Sequence, residues 1–152
     1  MTERSHLDLG NYLPYLINRV GVAMVGSFTE NALAAHDLSI DMWRVLAALA
    51  HGGEQRQVDL VTRTSIDAST ISRLVTRLSR LGLVVRARSK TSSREVVVVL
   101  LPKGGALVQR IIPIAHQLEA TAIAGLPAKD LAAVKRALRQ FYDNLAKARP
   151  AR

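Results

Sequence analysis

The sequence predicts a mainly α-helical protein that carries one small β-hairpin. Three observations predict it. Apolar residues recur at helical spacing in several separate stretches, aromatic residues are scarce at 4%, and β-branched residues take over abruptly after Gly82. The 152 residues suffice for one domain with helical extensions, and 49% of them are hydrophobic, enough for a sizeable core.

The elements follow in chain order. Residues 9–35 are mostly helical in pattern, with Pro14 near the start and Gly21 and Gly26 inside. Each internal glycine costs about 1 kcal/mol of helix propensity against Ala, which a packed helix tolerates. Asp37 and Ser39 offer capping side chains before "IDMWRVLAALAHGG", where Met42, Val45, Leu46 and Leu49 form one apolar stripe. Gly52 and Gly53 stop that helix. A short helix is expected in "QVDLVTRT", with Val58 and Val61 facing inward, and another from about Asp67 to Leu81, ended by Gly82. "LVVRAR" and "REVVVVLL", with "SKTSS" between them, read as two strands of a hairpin. A long helix is expected from Pro102-Lys103-Gly104 to about Ala124. Pro113 should kink or split it, because proline removes one backbone bond and clashes with the preceding turn. Gly125-Leu126-Pro127 is a turn. The last helix, about 128–147, carries Leu131, Val134, Leu138, Phe141 and Leu145 on one face.

Charge narrows the function. The net charge is +9, and its distribution is uneven. Residues 56–94 hold nine basic residues and two acids, and no acid occurs from Ala68 to Arg94. Solvated helix faces usually mix signs, so a one-sign block favours an anionic partner, nucleic acid first. A membrane surface fits less well, since the block lacks a large apolar face with Trp or Phe. No apolar run reaches the ~18–20 residues of a membrane span. The opening "MTERSHLDLG" carries Glu3 and Asp8 without an apolar segment, so no secretory signal is expected and the protein reads as cytoplasmic. With no cysteine, disulfides and thiol chemistry are excluded.

The stretch "DASTISRLVTRLSRLG" places that charge on a helix. At 100° per residue, Ile71, Leu74, Val75, Leu78 and Leu81 share one face. Ser69, Arg73, Thr76 and Arg80 lie opposite, flanked by Ser72 and Arg77. Asp67 is positioned to cap the first turn. Ala68, Ser69 and Thr70 are short, which lets the helix end approach a base edge. Arginine pairs in bidentate fashion with guanine, and hydroxyls serve several bases. Alone, such a helix is ordinarily a solvated one. The short helix before it, as in a helix-turn-helix, the basic hairpin behind it and the missing acids shift the reading to nucleic acid. Duplex DNA is favoured, because its major groove admits a helix and the chain has no aromatic stacking platform for single strands. The hairpin then acts as a wing, with Arg86, Arg88, Lys90 and Arg94 on backbone or minor groove. Ser69, Thr70, Ser72, Arg73, Thr76 and Arg77 are the candidates for base reading, and Arg80 for a phosphate or surface contact.

Residues 38–104 resemble the MarR/SlyA family of bacterial winged-helix regulators, through "LSIDMWRVLAALAHGG", "QVDLVTRTSIDASTISRLVTRLSRLGLVVR" and "SSREVVVVLLPKGG". "STISRLVTRLSRLGLVVR" is the most specific portion, and the flanking helices extend the likeness over nearly the whole chain. The resemblance implies a winged helix-turn-helix flanked by long dimerisation helices: an N-terminal dimerisation helix in 1–36, a DNA-binding lobe in 37–102, and C-terminal dimerisation helices in 103–152. It implies a homodimeric repressor, released by a small ligand, on a pseudo-palindromic operator. Members often sense small aromatic or phenolic acids in a cleft between dimer helices and lobe. Tyr12, Tyr15, Arg19, Trp43 and Arg44 are the candidates for such an effector site, an arginine holding the carboxylate. Two positions depart from the family pattern. Ser92 stands where the wing often has an Asp before Arg94, so the acid that orients this arginine is missing. Leu101 replaces a usual capping Thr, a loss of about 0.5–2 kcal/mol, so that junction is looser or capped by other means.

Other chemistry finds little support. His6, His36, His51 and His116 show no ligand spacing, so no metal is expected. No nucleophile motif, Walker loop or dinucleotide fingerprint occurs, so neither a catalytic residue nor a cofactor is expected. Trp43 reads as core more than ligand contact, and Gly104-Gly105 as the plain start of a helix. The alternatives are a DNA-binding protein without a ligand and a winged-helix module that docks on an acidic protein.

Overall fold

The computed structural model describes residues 6–92 and 94–149. Met1–Ser5, with the Glu3 read above against a secretory signal, lie outside the described residues, as do Ser93 and residues 150–152. Six α-helices and one hairpin follow in the expected order: α1 Leu13–Phe28, α2 Ile40–Gly52, α3 Gln57–Thr64, α4 Ala68–Arg80, β1 Val84–Arg88, β2 Val96–Leu100, α5 Pro102–Ala122 and α6 Ala128–Ala148. Two compact units divide at Leu118 and Glu119, within α5. Among the described residues, no helix is long and apolar enough to cross a membrane.

In the first unit, α1 starts with proline at its first turn, where the missing N–H costs nothing. It ends in a π-helical turn, Thr29–Leu33, and a 3₁₀ turn, Ala34–His36, which the apolar pattern of residues 9–35 did not distinguish from regular helix. Asp37 then takes a left-handed conformation. The Ser39 hydroxyl accepts from the Met42 N–H at 3.2 Å and caps α2. Met42, Val45, Leu46 and Leu49 are all buried, joined by Leu60 of α3, Ile71, Val75 and Leu78 of α4, Val84 and Val98 of the hairpin, and Leu107, Val108 and Ile111 of α5. The core therefore sits beneath the polar face of α4.

Three expectations are corrected. Val58 faces outward at 59% exposure, and Leu60 is the buried residue of α3. Eight residues of helix offer two overlapping apolar faces, and the face holding Leu60 and Val61 meets the core. Of the kink or split expected at Pro113, the split is not found: α5 is continuous from Pro102 to Ala122. Gly104 is more than the start of a helix. A Cβ there would lie 2.2 Å from the Leu83 carbonyl oxygen and 2.8 Å from Leu100 Cδ1, so only glycine lets α5 pass this close to the hairpin's start. The α5 junction, which lacks the family's capping Thr, is held by other bonds. The Leu101 N–H donates to the Leu83 carbonyl at 2.9 Å, and Lys103 Nζ donates to the Leu81 carbonyl at 2.9 Å.

In the second unit, α6 buries no residue. Val134 and Leu138 are 45% and 44% exposed, and Leu145 is 71% exposed. Lys135 Nζ meets Glu119 Oε1 at 2.8 Å.

Candidate nucleic-acid interface

The interface begins at the turn between α3 and α4. Ser65 adopts a left-handed conformation that ends α3, and the chain reverses to present Asp67 as the N-cap of α4. One Asp67 carboxylate oxygen accepts from the Thr70 N–H at 2.9 Å and from the Ser69 hydroxyl at 2.7 Å. The other accepts from the Thr70 hydroxyl at 2.7 Å. The bonds from Ser69 and then Thr70 hold the Asp67 carboxyl well below the usual carboxylate range, so it stays ionised. This arrangement polarises the first turn. The hydroxyl protons of Ser69 and Thr70 are spent on Asp67, which leaves their lone pairs to accept. Thr70 Oγ1 accepts from an Arg73 NH2 group at 3.1 Å, which steadies that long side chain.

Burial of Ile71, Val75 and Leu78 turns the opposite face of α4 outward. Ser72, Arg73, Thr76, Arg77 and Arg80 line one open cleft of about 330 Å³. The structure therefore brings most of the candidate base-reading residues together on one helix face, with Ser69 and Thr70 at its N-terminal end. Within the cleft, Thr76 donates to the Ser72 carbonyl at 3.0 Å.

The four wing candidates divide. Arg86 and Arg88 stand on β1, which pairs antiparallel with β2, Arg86 opposite Val98 and Arg88 opposite Val96. The Arg86 guanidinium donates to Gln57 Oε1 at 2.9 Å, to the Ser72 carbonyl at 3.1 Å and to Thr76 Oγ1 at 3.2 Å. Arg88, Lys90 and Arg94 are exposed towards the tip.

Sequence reasoning missed the residues that hold the hairpin. Glu54 Oε1 accepts from the Ser89 hydroxyl at 3.3 Å and from the Lys90 N–H at 3.4 Å. Gln55 forms a short backbone bridge with Val98, its N–H donating at 3.1 Å and its carbonyl accepting at 2.7 Å. Arg56 binds Asp59 through two bonds of 2.9 Å and reaches Glu95 at 3.5 Å. The Arg56 bond lowers the Asp59 carboxyl, and Asp59 raises the Arg56 guanidinium in return. Glu54 and Glu95 stand just outside the basic block 56–94, so its charge pattern gave no sign of them.

The effector candidates are not gathered at one place. Trp43 and Arg44 line an open cleft of about 430 Å³ with Ala47, Ala48, His51, Arg63 and Thr64. Trp43 also packs edge-on against Phe28, their ring centroids 5.4 Å apart. Arg44 pairs with Asp41 at 2.8 Å. Tyr15 and Arg19 stack on each other along α1, 5.7 Å from cation to ring centre, and with Tyr12 they are absent from that cleft. Among the described residues, no group of His, Asp or Glu side chains could hold a metal ion.

Comparison with known proteins places the fold. A profile of the MarR family matches residues 36–95, which span α2 to the start of β2. The HTH-type transcriptional repressor NicR of Pseudomonas putida is 32% identical over 142 residues, covering 93% of this chain and 89% of the repressor. The chain belongs to the MarR family. Its fold matches the Bordetella bronchiseptica regulator BpsR, whose DNA binding is described as regulated by 6-hydroxynicotinic acid, with a TM-score of 0.79 and 28% identity over 93% of this chain and 99% of that one. A MarR-family transcriptional regulator from Silicibacter pomeroyi matches with a TM-score of 0.81 and 26% identity over 98% of each chain. This member of the MarR family is thus a winged helix-turn-helix protein, with α3 and α4 as the helix-turn-helix and β1–β2 as the wing.

Proposed function

We propose that the protein is a transcriptional repressor that binds duplex DNA as a homodimer and is released by a small aromatic carboxylate. The acid-capped, arginine-bearing outer face of α4 carries this reading. Ser69, Thr70, Ser72, Arg73, Thr76 and Arg77 enter the major groove, while Arg88, Lys90 and Arg94 neutralise phosphates or reach the adjacent minor groove. Residues 37–102 form the DNA-binding lobe. Residues 1–36 and 103–152 supply the dimer, which sets two α4 helices about one helical turn, ~34 Å, apart on a pseudo-palindrome. No enzymatic step belongs to this reading.

The repressor and ligand parts draw on the relatives, NicR by its name and BpsR by the acid that regulates its DNA binding. In this chain, Trp43 offers a ring face and Arg44 a carboxylate partner, with His51 and Arg63 across the same cleft. The ligand stabilises one spacing of the two lobes and DNA another, so operator affinity falls by the difference. Tyr12, Tyr15 and Arg19 enter this site only from a second protomer or after rearrangement.

Selection of duplexes from random sequence tests the DNA reading. Arg73→Ala should weaken binding to the selected operator by about 1–3 kcal/mol and binding to random DNA far less. Arg94→Ala should weaken both and reduce the slope of log affinity against log salt by about 1. Equal losses for operator and random DNA with Arg73→Ala would refute the division of labour. Titration with aromatic carboxylates, 6-hydroxynicotinate included, should raise the melting temperature and release DNA; no change in either would remove the effector.

A further inference from the structure

We infer that Arg86, although it lies on the basic wing, is a positioning residue that latches the wing to the recognition helix. This inference rests on the DNA-binding reading above and refines it. Basic wing residues are expected to face phosphate. Arg86 instead commits its Nε–H and one terminal nitrogen to three oxygens of its own chain: Gln57 Oε1 at the start of α3, and the Ser72 carbonyl and Thr76 Oγ1 in the middle of α4. One planar group thereby joins three elements, β1, α3 and α4. A guanidinium can do this because its donors are fixed in a fork, whereas a lysine ammonium is a single point on a flexible stem.

The surroundings support the same role. Gln57 is the last of four consecutive residues, Glu54 to Gln57, each bonded to the hairpin. Glu54 holds the Ser89 hydroxyl and the Lys90 N–H, Gln55 bridges Val98, Arg56 reaches Glu95, and Gln57 accepts from Arg86. The linker between α2 and α3 thus grips β1, β2 and the tip together. Arg86 extends that grip to α4, at residues whose neighbours face the proposed groove surface. It acts on Thr76 directly: Thr76 Oγ1 donates to the Ser72 carbonyl and accepts from Arg86, which fixes the direction of its hydroxyl proton. The backbone bond from the Leu83 N–H to the Leu78 carbonyl joins α4 to the hairpin at its base, and Arg86 adds a second tie further along, which also sets the polarity that Thr76 presents.

The charge-preserving change Arg86→Lys separates a latch from a phosphate contact. On an operator selected by the wild-type protein, Arg86→Lys should lower affinity about tenfold or more, in line with losing charge-assisted hydrogen bonds. Affinity for random duplex, and the salt slope, should stay at wild-type values. Gln57→Ala leaves every basic residue in place and should cause a smaller loss of the same kind. The two changes together should cost less than the sum of their separate effects, because they break one shared bond. Thermal unfolding of each variant verifies that the lobe remains folded, and Gln57→Ala stands as the readout if Arg86→Lys does not fold. Full operator affinity in Arg86→Lys, or no loss in Gln57→Ala, would overturn the latch while leaving DNA binding intact. A salt slope lowered by about 1 in Arg86→Ala would overturn it in favour of a phosphate contact. Failure of the wild-type protein to select any duplex would overturn both readings.

Discussion

From α2 to β2, apolar residues at helical or strand spacing are mostly buried against one another: Leu46, Leu60, Ile71, Leu78 and Val98 are all enclosed. In α6, the same helical spacing leaves Val134, Leu138 and Leu145 in solvent. The amphipathic pattern is common to both regions, but the apolar face is buried in one and largely exposed in the other. The core of the lobe is completed from outside it, by Phe28 and Leu33 earlier in the chain and Leu107, Val108 and Ile111 of α5 later in it, and together they fix the buried face of α4. Of the apolar residues in α6, only Leu131, Ala137 and Phe141 are half-buried among the described residues, and the proposed homodimer would cover the rest of this face. The N-terminal helix shares this character, with Leu13, Leu16, Ile17 and Val20 exposed along it.

The largest effect is expected from opening the core of the lobe. Leu46 is fully enclosed, so Leu46→Ala should cost about 2–5 kcal/mol of unfolding free energy, read from a denaturant titration. A loss under 1 kcal/mol would mean that the core is not closed around Leu46. The counterpart on the terminal helices is Leu138→Asp. It should leave the helical circular-dichroism signal in place but shift the sedimenting mass from dimer to monomer, with operator affinity falling at least tenfold because a single lobe reads one half-site. A wild-type protein that sediments as a monomer, or a variant that remains dimeric, would sink the proposed role of α6.

Much of the fold could be read from local pattern. The stripe Met42, Val45, Leu46 and Leu49, the cap at Asp67 and the switch to β-branched residues after Gly82 each lie within one or two turns of chain, where spacing alone decides the outcome. The outer face of α4 was legible for the same reason. What escaped depends on residues far apart in sequence. Arg86 and Gln57 are 29 positions apart, and Glu54 and Ser89 are 35 apart. No periodicity links such pairs, and the charge count placed Arg86 with the phosphate contacts because it could not see the oxygens that fold brings to it. Val58 was read as inward for a related reason: a helix of eight residues has too few apolar positions to fix its phase, and the core chose Leu60. At Gly104 the need for glycine comes from the Leu83 carbonyl, 21 positions earlier in the chain, which no local pattern reveals.

The smallest expected effect lies at the boundary between structure and recognition, at Asp67. Its carboxylate caps α4 and collects the hydroxyl protons of Ser69 and Thr70, so its charge serves the fold and the groove surface at once. The carboxyl's folded pKa lies below the value of about 3.9 expected in the unfolded chain. Its contribution to stability is therefore complete above that unfolded value, and is lost progressively as pH falls below it towards the folded value. Between pH 5 and 8 it adds no pH dependence. Asp67→Asn keeps an acceptor for the Thr70 N–H but has no proton to gain, so the variant should be slightly less stable than wild type at pH 7. As pH is lowered from 4 towards 2, the gap between the two melting temperatures should close. Asp67→Ala removes the acceptor altogether and should melt a few degrees lower at neutral pH. Parallel melting curves for wild type and Asp67→Asn across the acid range would show that the charge on Asp67 contributes nothing to the cap, and that the polarised hydroxyls of Ser69 and Thr70 must be held in place by the helix backbone alone.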